Sequence, residues 1–312
     1  MSSLKNVTLS IKEEASARQP HTGKKNIRAD SNNDVGKEYK SFYKEVGGNE
    51  GTKCNYSTRL DTYGCGCAHD CKYCYAKSLL NFRGLWDPKD PSVADIEKIK
   101  RKISKIPKGS IIRLGGMTDC FQPCERKHRV TLQTIRAMND AGVGYLIVTK
   151  SAMVAEAEYI GSMDRDLAHI QVTVTTTDPS LSASYEKASL PKDRIAAIEK
   201  LDDGGFDIAL RLSPYIPEFV DLDELSKVRC DKILIEFLRV NSWIKKWFDI
   251  DYSEYTLKQS GYCHLPLEKK IEYVGRIKGF EQVTVCDDED GAYEYWKHNF
   301  NPNSEDCCNL RI

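Results

Sequence analysis

The sequence predicts an α/β fold: a partial (β/α)6 barrel with a polar N-terminal arm and a C-terminal α/β extension. Three observations predict it. Short apolar runs recur along the chain, and helical patterns separate them. That alternation implies parallel strands joined by right-handed crossovers. The chain has 312 residues, 40% of them apolar, which is enough for one barrel-sized unit with a buried core.

The elements follow in order. Residues 1–48 are polar, show no sustained period and read as a flexible arm. Residues 49–240 carry the barrel pattern. Its strands are expected at 57–63, 110–114, 144–148, 169–174, 206–212 and 232–237. Helices are expected at 71–80, 92–104, 125–141, 152–163, 191–201 and 222–228, with Pro191 and Asp193 suited to a first turn. Residues 241–312 form the extension, with a helix at 265–277, a strand at 282–286 and a last helical stretch near Tyr293. The acidic run from Asp287 to Asp290 reads as a solvated cap.

Charge and targeting narrow the classes. The 46 basic and 46 acidic side chains cancel, which gives no support for a generic electrostatic grip on nucleic acid or an anionic membrane. The start lacks the apolar core of a signal peptide, and no run approaches the roughly 18 apolar residues of a spanning helix. A soluble, cytoplasmic protein without membrane contact is expected. In that setting the 12 cysteines read as thiols or metal ligands before disulfides.

The strongest chemical signal is Gly64-Cys-Gly-Cys67-Ala-His-Asp-Cys71-Lys-Tyr-Cys74-Tyr75. Cys67, Cys71 and Cys74 are spaced to bind three irons of a cubane from a loop entering a helix. A closed 4Fe–4S site takes four cysteines, so three leave one iron open. An open iron can chelate the amino and carboxylate groups of S-adenosylmethionine. The alternative is a structural zinc site, for which Cys65 and His69 supply further ligands. Zinc knuckles usually pair two Cys-x2-Cys units, and only one lies here.

The cysteine loop closely resembles the radical S-adenosylmethionine superfamily. From about Tyr63 to Pro217 the chain resembles the spore photoproduct lyase-like family, often labelled DNA repair photolyases. Five segments carry the resemblance: the cysteine loop; Gly115-Gly-Met-Thr-Asp119-Cys-Phe-Gln-Pro123-Cys-Glu125; Val148-Thr-Lys150; Val172-Thr-Val-Thr-Thr-Thr-Asp178 with Glu186 and Arg194; and Ser213-Pro-Tyr-Ile-Pro217. They cover about half the chain and leave out the arm and the tail beyond Phe237.

In α/β barrels ligands bind beyond the carboxyl ends of the strands, where these segments fall. Gly115 and Gly116 let backbone approach the amino acid moiety of S-adenosylmethionine. Thr118 and Asp119 can accept from its ammonium, and Lys150 can pair with its carboxylate, as the resemblance implies. Thr173, Thr175 and Arg211 point toward ribose or substrate, and Tyr73 shields the cluster. Plainer roles stand beside these: turns for the glycines, solvation for Lys150, a carboxylate partner in the barrel wall for Arg211, and helix support for Glu125.

Spore photoproduct lyases place a hydrogen-donor cysteine where Gly116 falls here. Cys120 is the candidate donor instead, with a packed free thiol as its alternative. Cys263, Cys286, Cys307 and Cys308 form a second group, read as a candidate auxiliary metal site, as packed thiols, or as a donor thiol near substrate. The expected function is radical hydrogen abstraction from a nucleobase or modified nucleotide, with an external one-electron donor such as flavodoxin or ferredoxin. Arg59, Lys72, Lys77, Arg83 and Trp86 are candidate nucleic-acid contacts. The alternatives are a radical enzyme on a small metabolite or peptide, and a non-catalytic zinc module.

Overall fold

A computed structural model describes residues 37–311; residues 1–36 of the expected arm lie outside the described residues. The main sheet has eight strands: β1 (Tyr43–Glu45), β2 (Thr58–Leu60), β3 (Ile111–Leu114), β4 (Gly144–Thr149), β5 (Ala168–Val174), β6 (Asp207–Tyr215), β7 (Lys232–Phe237) and β8 (Gln282–Val285). Their spatial order equals their chain order. β1 runs antiparallel to β2, and every later neighbour is parallel. Expected and observed strands agree for the six barrel strands, within a few residues at their ends. β1 comes from the stretch expected as arm, and β8 comes from the C-terminal extension.

Alternation along the strands separates two environments. Ile112, Leu114, Ile147, Ile170, Val172, Leu210 and Ile235 join the large apolar core. Residues of the opposite parity, Arg113, Val148, Thr173, Arg211 and Glu236, line a cleft instead. The second set is mostly polar because it faces a ligand-sized space rather than a helix layer.

The helices that matter for the site are α1 (Gly48–Lys53), α2 (Tyr75–Phe82), α3 (Val130–Ala141), α4 (Pro179–Tyr185), α5 (Pro191–Asp203), α6 (Ser242–Trp247) and α7 (Asp290–Asn299). The helix expected from residue 71 begins at Tyr75, because the cysteine loop turns first: Cys65 and Asp70 hold φ of 55° and 43°. The helix expected at 125–141 is broken at Arg129, whose φ is 56°. Buried Glu125 explains the restart, since its carboxylate accepts the amides of Thr131 at 2.9 Å and Leu132 at 3.0 Å. The segment expected as a helix at 152–163 is a 3-10 turn followed by one short helix. α1, α4 and α6 are short and carry no strong period, so the sequence pattern does not announce them.

Of the acidic run expected as a solvated cap, only Glu289 caps a helix, and it is buried. Glu289 accepts the Gly291 and Ala292 amides at the start of α7. Asp287 and Asp288 are committed elsewhere, to Lys270 at 2.7 Å and Arg239 at 2.6 Å. The C-terminal tail crosses the amino ends of β6 and β7. The Arg311 amide donates to Asp207 at 2.8 Å, and Lys232 donates to the Asn309 carbonyl at 2.9 Å. Among the described residues no helix is long and apolar enough to cross a membrane.

Candidate cofactor cleft

The cysteine loop is pinned before it becomes α2. The Lys72 amide donates to the Tyr185 carbonyl at 2.9 Å, and the Lys187 amide donates to the His69 carbonyl at 2.7 Å. Cys74 caps α2, its sulfur accepting the Lys77 amide at 3.4 Å. Cys67, Cys71 and Cys74 all line the cleft. Burial pushes the Cys67 thiol up to about 12, with the Asp119 carboxylate adding to the effect. Burial and Glu186 drive Cys71 well above the usual thiol range, and burial raises Cys74. Cys67 also opposes the ionisation of Cys71, so their sulfurs share one electrostatic neighbourhood. Three converging thiols at a cleft suit a group that deprotonates its ligands on binding. A cubane bound here would take Cys67, Cys71 and Cys74 as ligands of three of its irons.

Opposite the cysteines lies the loop after β3. Gly115 needs its φ of 82°, and an added Cβ would crowd the Thr118 and Val148 carbonyls at 3.2 and 3.3 Å. Gly116 is bare for another reason: a Cβ there would meet Arg59 Cδ at 2.5 Å. Asp61, which belongs to no motif in the sequence, gathers the loop by accepting the amides of Gly116 at 2.7 Å and Met117 at 2.9 Å. The Thr118 hydroxyl donates to the Tyr63 carbonyl at 2.7 Å, so its proton is turned away from the cleft.

Asp119 is held from three sides. It accepts the Lys150 amide and the Thr149 hydroxyl, each at 2.7 Å, and His69 Nδ1 lies 3.3 Å away. Burial opposes its charge, yet His69 and these hydrogen bonds bring its pKa down to about 2. The Lys150 ammonium sits 5.6 Å from the centre of the Tyr73 ring. Among the described residues no carboxylate lies within ion-pair distance of it, so it keeps capacity for an anionic group in the cleft.

Tyr73 is fixed by a buried network. Its hydroxyl donates to Glu186, which also receives Arg194; both charged groups are fully buried. Arg194 reaches the Thr173 carbonyl at 3.1 Å. Thr175 is engaged here too, at 2.9 Å from the Tyr185 hydroxyl and 3.1 Å from Glu186. Glu186 and Arg194 thus hold the ring beside the cysteines, a role the motif alone does not assign.

Several expected roles shift. Arg211 lines the cleft, but its guanidinium donates to Gln171 at 2.6 Å and Glu236 at 2.5 Å, the wall pairing named as its alternative. Cys120 is buried in the large core and does not line the cleft, which places it as a packed thiol. Arg59 is also buried, paired with Glu50, and not a surface contact. Lys77 is tied to Asp70 at 2.7 Å, Trp86 is half-buried, and Lys72 and Arg83 are exposed. The tail cysteines divide. Cys263 sits in a separate hairpin against the large core, whereas Cys286 and Cys307 line the cleft with Cys308 buried near them. Cys54, which stands alone in the sequence, joins those three.

Parallel strands, a cleft beyond their carboxyl ends and three converging thiols on a loop define an α/β partial-barrel protein with a thiol-lined site. A family model described as the Radical SAM superfamily matches residues 62–225, more than half of the chain, and the chain belongs to that superfamily. Protein MJ0683 of Methanocaldococcus jannaschii is 26% identical over 168 residues, covering 51% of this chain and 60% of that protein. Protein Rv2578c of Mycobacterium tuberculosis is 22% identical over 169 residues, 51% of this chain and 50% of that protein. The matches therefore span about half the length of these curated relatives. Among solved structures, a single-residue mutant of spore photoproduct lyase superposes with a TM-score of 0.58 at 15% identity, covering 80% of each chain. A double mutant of the same lyase, with bound S-adenosylmethionine and dinucleoside spore photoproduct, gives 0.53 at 15% identity, covering 75% of this chain and 77% of that one. At these identities the likeness is one of fold.

Proposed function

We propose that this protein holds a 4Fe–4S cluster at Cys67, Cys71 and Cys74 and abstracts a hydrogen atom from a nucleobase or modified nucleotide, in DNA repair or modification. The observation that carries the reading is the convergence of these thiols with Lys150 and the Gly115–Asp119 loop on one cleft. When bound and reduced by an external donor of flavodoxin or ferredoxin type, the cluster supplies one electron to the sulfonium of S-adenosylmethionine, which yields methionine and a 5′-deoxyadenosyl radical.

The chain's own groups bind and orient. Lys150 pairs with the carboxylate of S-adenosylmethionine. The carbonyls of the Gly115 loop accept from its ammonium. Asp119 positions Lys150 by holding its amide and does not itself need to reach the cofactor. Tyr73 covers one side of the cluster, and Thr173 and Arg211 shape the wall toward the substrate.

A nucleic acid substrate is supported by the surface beside α2. Phe82 is 77% exposed, flanked by exposed Leu79 and Leu85. α6 packs against α2, with the Trp243 and Trp247 rings 5.5 Å apart and Lys77 5.1 Å from Trp247. Exposed apolar groups, indoles and lysines suit stacking against unpaired bases. The test is 5′-deoxyadenosine formation by reduced holoenzyme with and without single-stranded DNA or RNA. Stimulation by polynucleotide supports the reading. Stimulation by a small-metabolite fraction alone moves the substrate to the metabolite class, which the neutral net charge favours.

A further inference from the structure

Four thiols outside the Cys67 loop meet in the wall of the cleft. Cys54 follows α1, Cys286 follows β8, and Cys307 and Cys308 lie on the C-terminal turn. Cys54, Cys286 and Cys307 line the cleft, and Cys308 is buried. All four pack on one small apolar patch made by Tyr56, Leu146 and Leu234. None is in a disulfide. Cys307 lies within reach of both Cys286 and Cys308, and Cys54 is an electrostatic neighbour of the same two.

Polar groups border the thiols. Arg113 and Arg211 line the same cleft as Cys54, Cys286 and Cys307. Gln171 is 1% exposed, its Nε2 has no protein acceptor, and its amide is directed at Cys308. Asp306 fixes the turn by accepting the amides of Cys308 at 2.9 Å and Leu310 at 3.1 Å, and it receives the Tyr56 hydroxyl at 2.7 Å. Sequence-distant segments are thus fastened together around the sulfurs.

We propose that Cys54, Cys286, Cys307 and Cys308 bind a second iron–sulfur cluster in the wall of the cleft. Four thiolates complete a closed cluster. A single tetrahedral zinc with arms of about 2.3 Å draws its sulfurs to about 3.8 Å of one another. Among the described residues, the ligand group gathered within 4.8 Å is His264, Asp287 and Asp288; neither these thiols nor the Cys67 loop is that tight. No three of these thiols, among the described residues, gather that closely, as one zinc requires.

The site is separable from the Cys67 loop by mutation. After anaerobic reconstitution, the full chain carrying Cys67→Ala, Cys71→Ala and Cys74→Ala is expected to keep iron and acid-labile sulfide in equal amounts. Cys286→Ser with Cys307→Ser is expected to lose about half of the wild-type iron and keep the remainder. A triple variant with wild-type circular dichroism but no iron overturns the proposal, as does one zinc per chain in place of iron. If the triple variant does not fold, the double variant decides: iron content equal to wild type overturns the proposal. Because the first variant lacks the Cys67 loop ligands, its result does not depend on radical chemistry.

Discussion

Asp119 accepts the backbone amide of Lys150 at 2.7 Å, which fastens the loop after β3 to the end of β4. Lys150, which lines the cleft, is therefore held at its backbone by the Asp119 carboxylate.

That tie has a pH signature. Asp119 has a folded pKa of about 2, below its unfolded value of about 3.9, so it contributes stability above about pH 4 that is lost as pH falls toward 2. Asp119→Asn should lower stability by about 2 kcal/mol at neutral pH, and the gap to wild type should close between about pH 4 and 2. Urea unfolding at a series of pH values checks this; a gap that stays constant with pH removes Asp119 from the account.

Lys150→Ala should weaken S-adenosylmethionine binding while leaving the iron content intact. A charge-assisted hydrogen bond to a carboxylate contributes about 1.5–3 kcal/mol, so the Kd should rise about 10- to 100-fold. Calorimetry on the reconstituted protein measures it, and an unchanged Kd excludes Lys150 from the site.

The buried Glu186–Arg194 pair makes a prediction about stability. Arg194→Met leaves Glu186 buried without its cation, at a cost of about 3–5 kcal/mol. Glu186→Gln with Arg194→Met should cost less than Arg194→Met alone. Denaturant midpoints of the three chains decide, and a double variant less stable than Arg194→Met alone would show that the pair does not act as a unit.

If the substrate is a polynucleotide, few phosphates are contacted, because the chain has no net charge. Binding to single strands should weaken with salt with a log–log slope of roughly −1 to −3. Fluorescence anisotropy from low to moderate salt gives the slope; a flat response points to a small-molecule substrate.

The barrel strands are legible in the sequence because each is an apolar run between turn residues, and parallel buried strands leave that trace. The cysteine loop is legible because its spacing is local. β1 and the place of Cys54 beside the tail cysteines are not. β1 is three half-polar residues whose partner is β2, and Cys54 stands far along the chain from Cys286, Cys307 and Cys308. Asp61 leaves no trace either, because a carboxylate that gathers backbone amides carries no motif. Gly116 suggests cofactor space in the sequence, and Arg59 fills that space. Each of these depends on contacts between distant segments, which periodicity does not encode.

Radical cleavage of S-adenosylmethionine at the Cys67 loop leaves one diagnostic product. The direct measurement is 5′-deoxyadenosine formed from S-adenosylmethionine by anaerobically reconstituted protein after dithionite reduction, beside a Cys71→Ala chain of equal stability. The wild type is expected to form 5′-deoxyadenosine and methionine in equal amounts, and Cys71→Ala none above background. A wild-type protein loaded with iron and sulfide that forms no 5′-deoxyadenosine with any substrate fraction, or equal amounts from both chains, would contradict it.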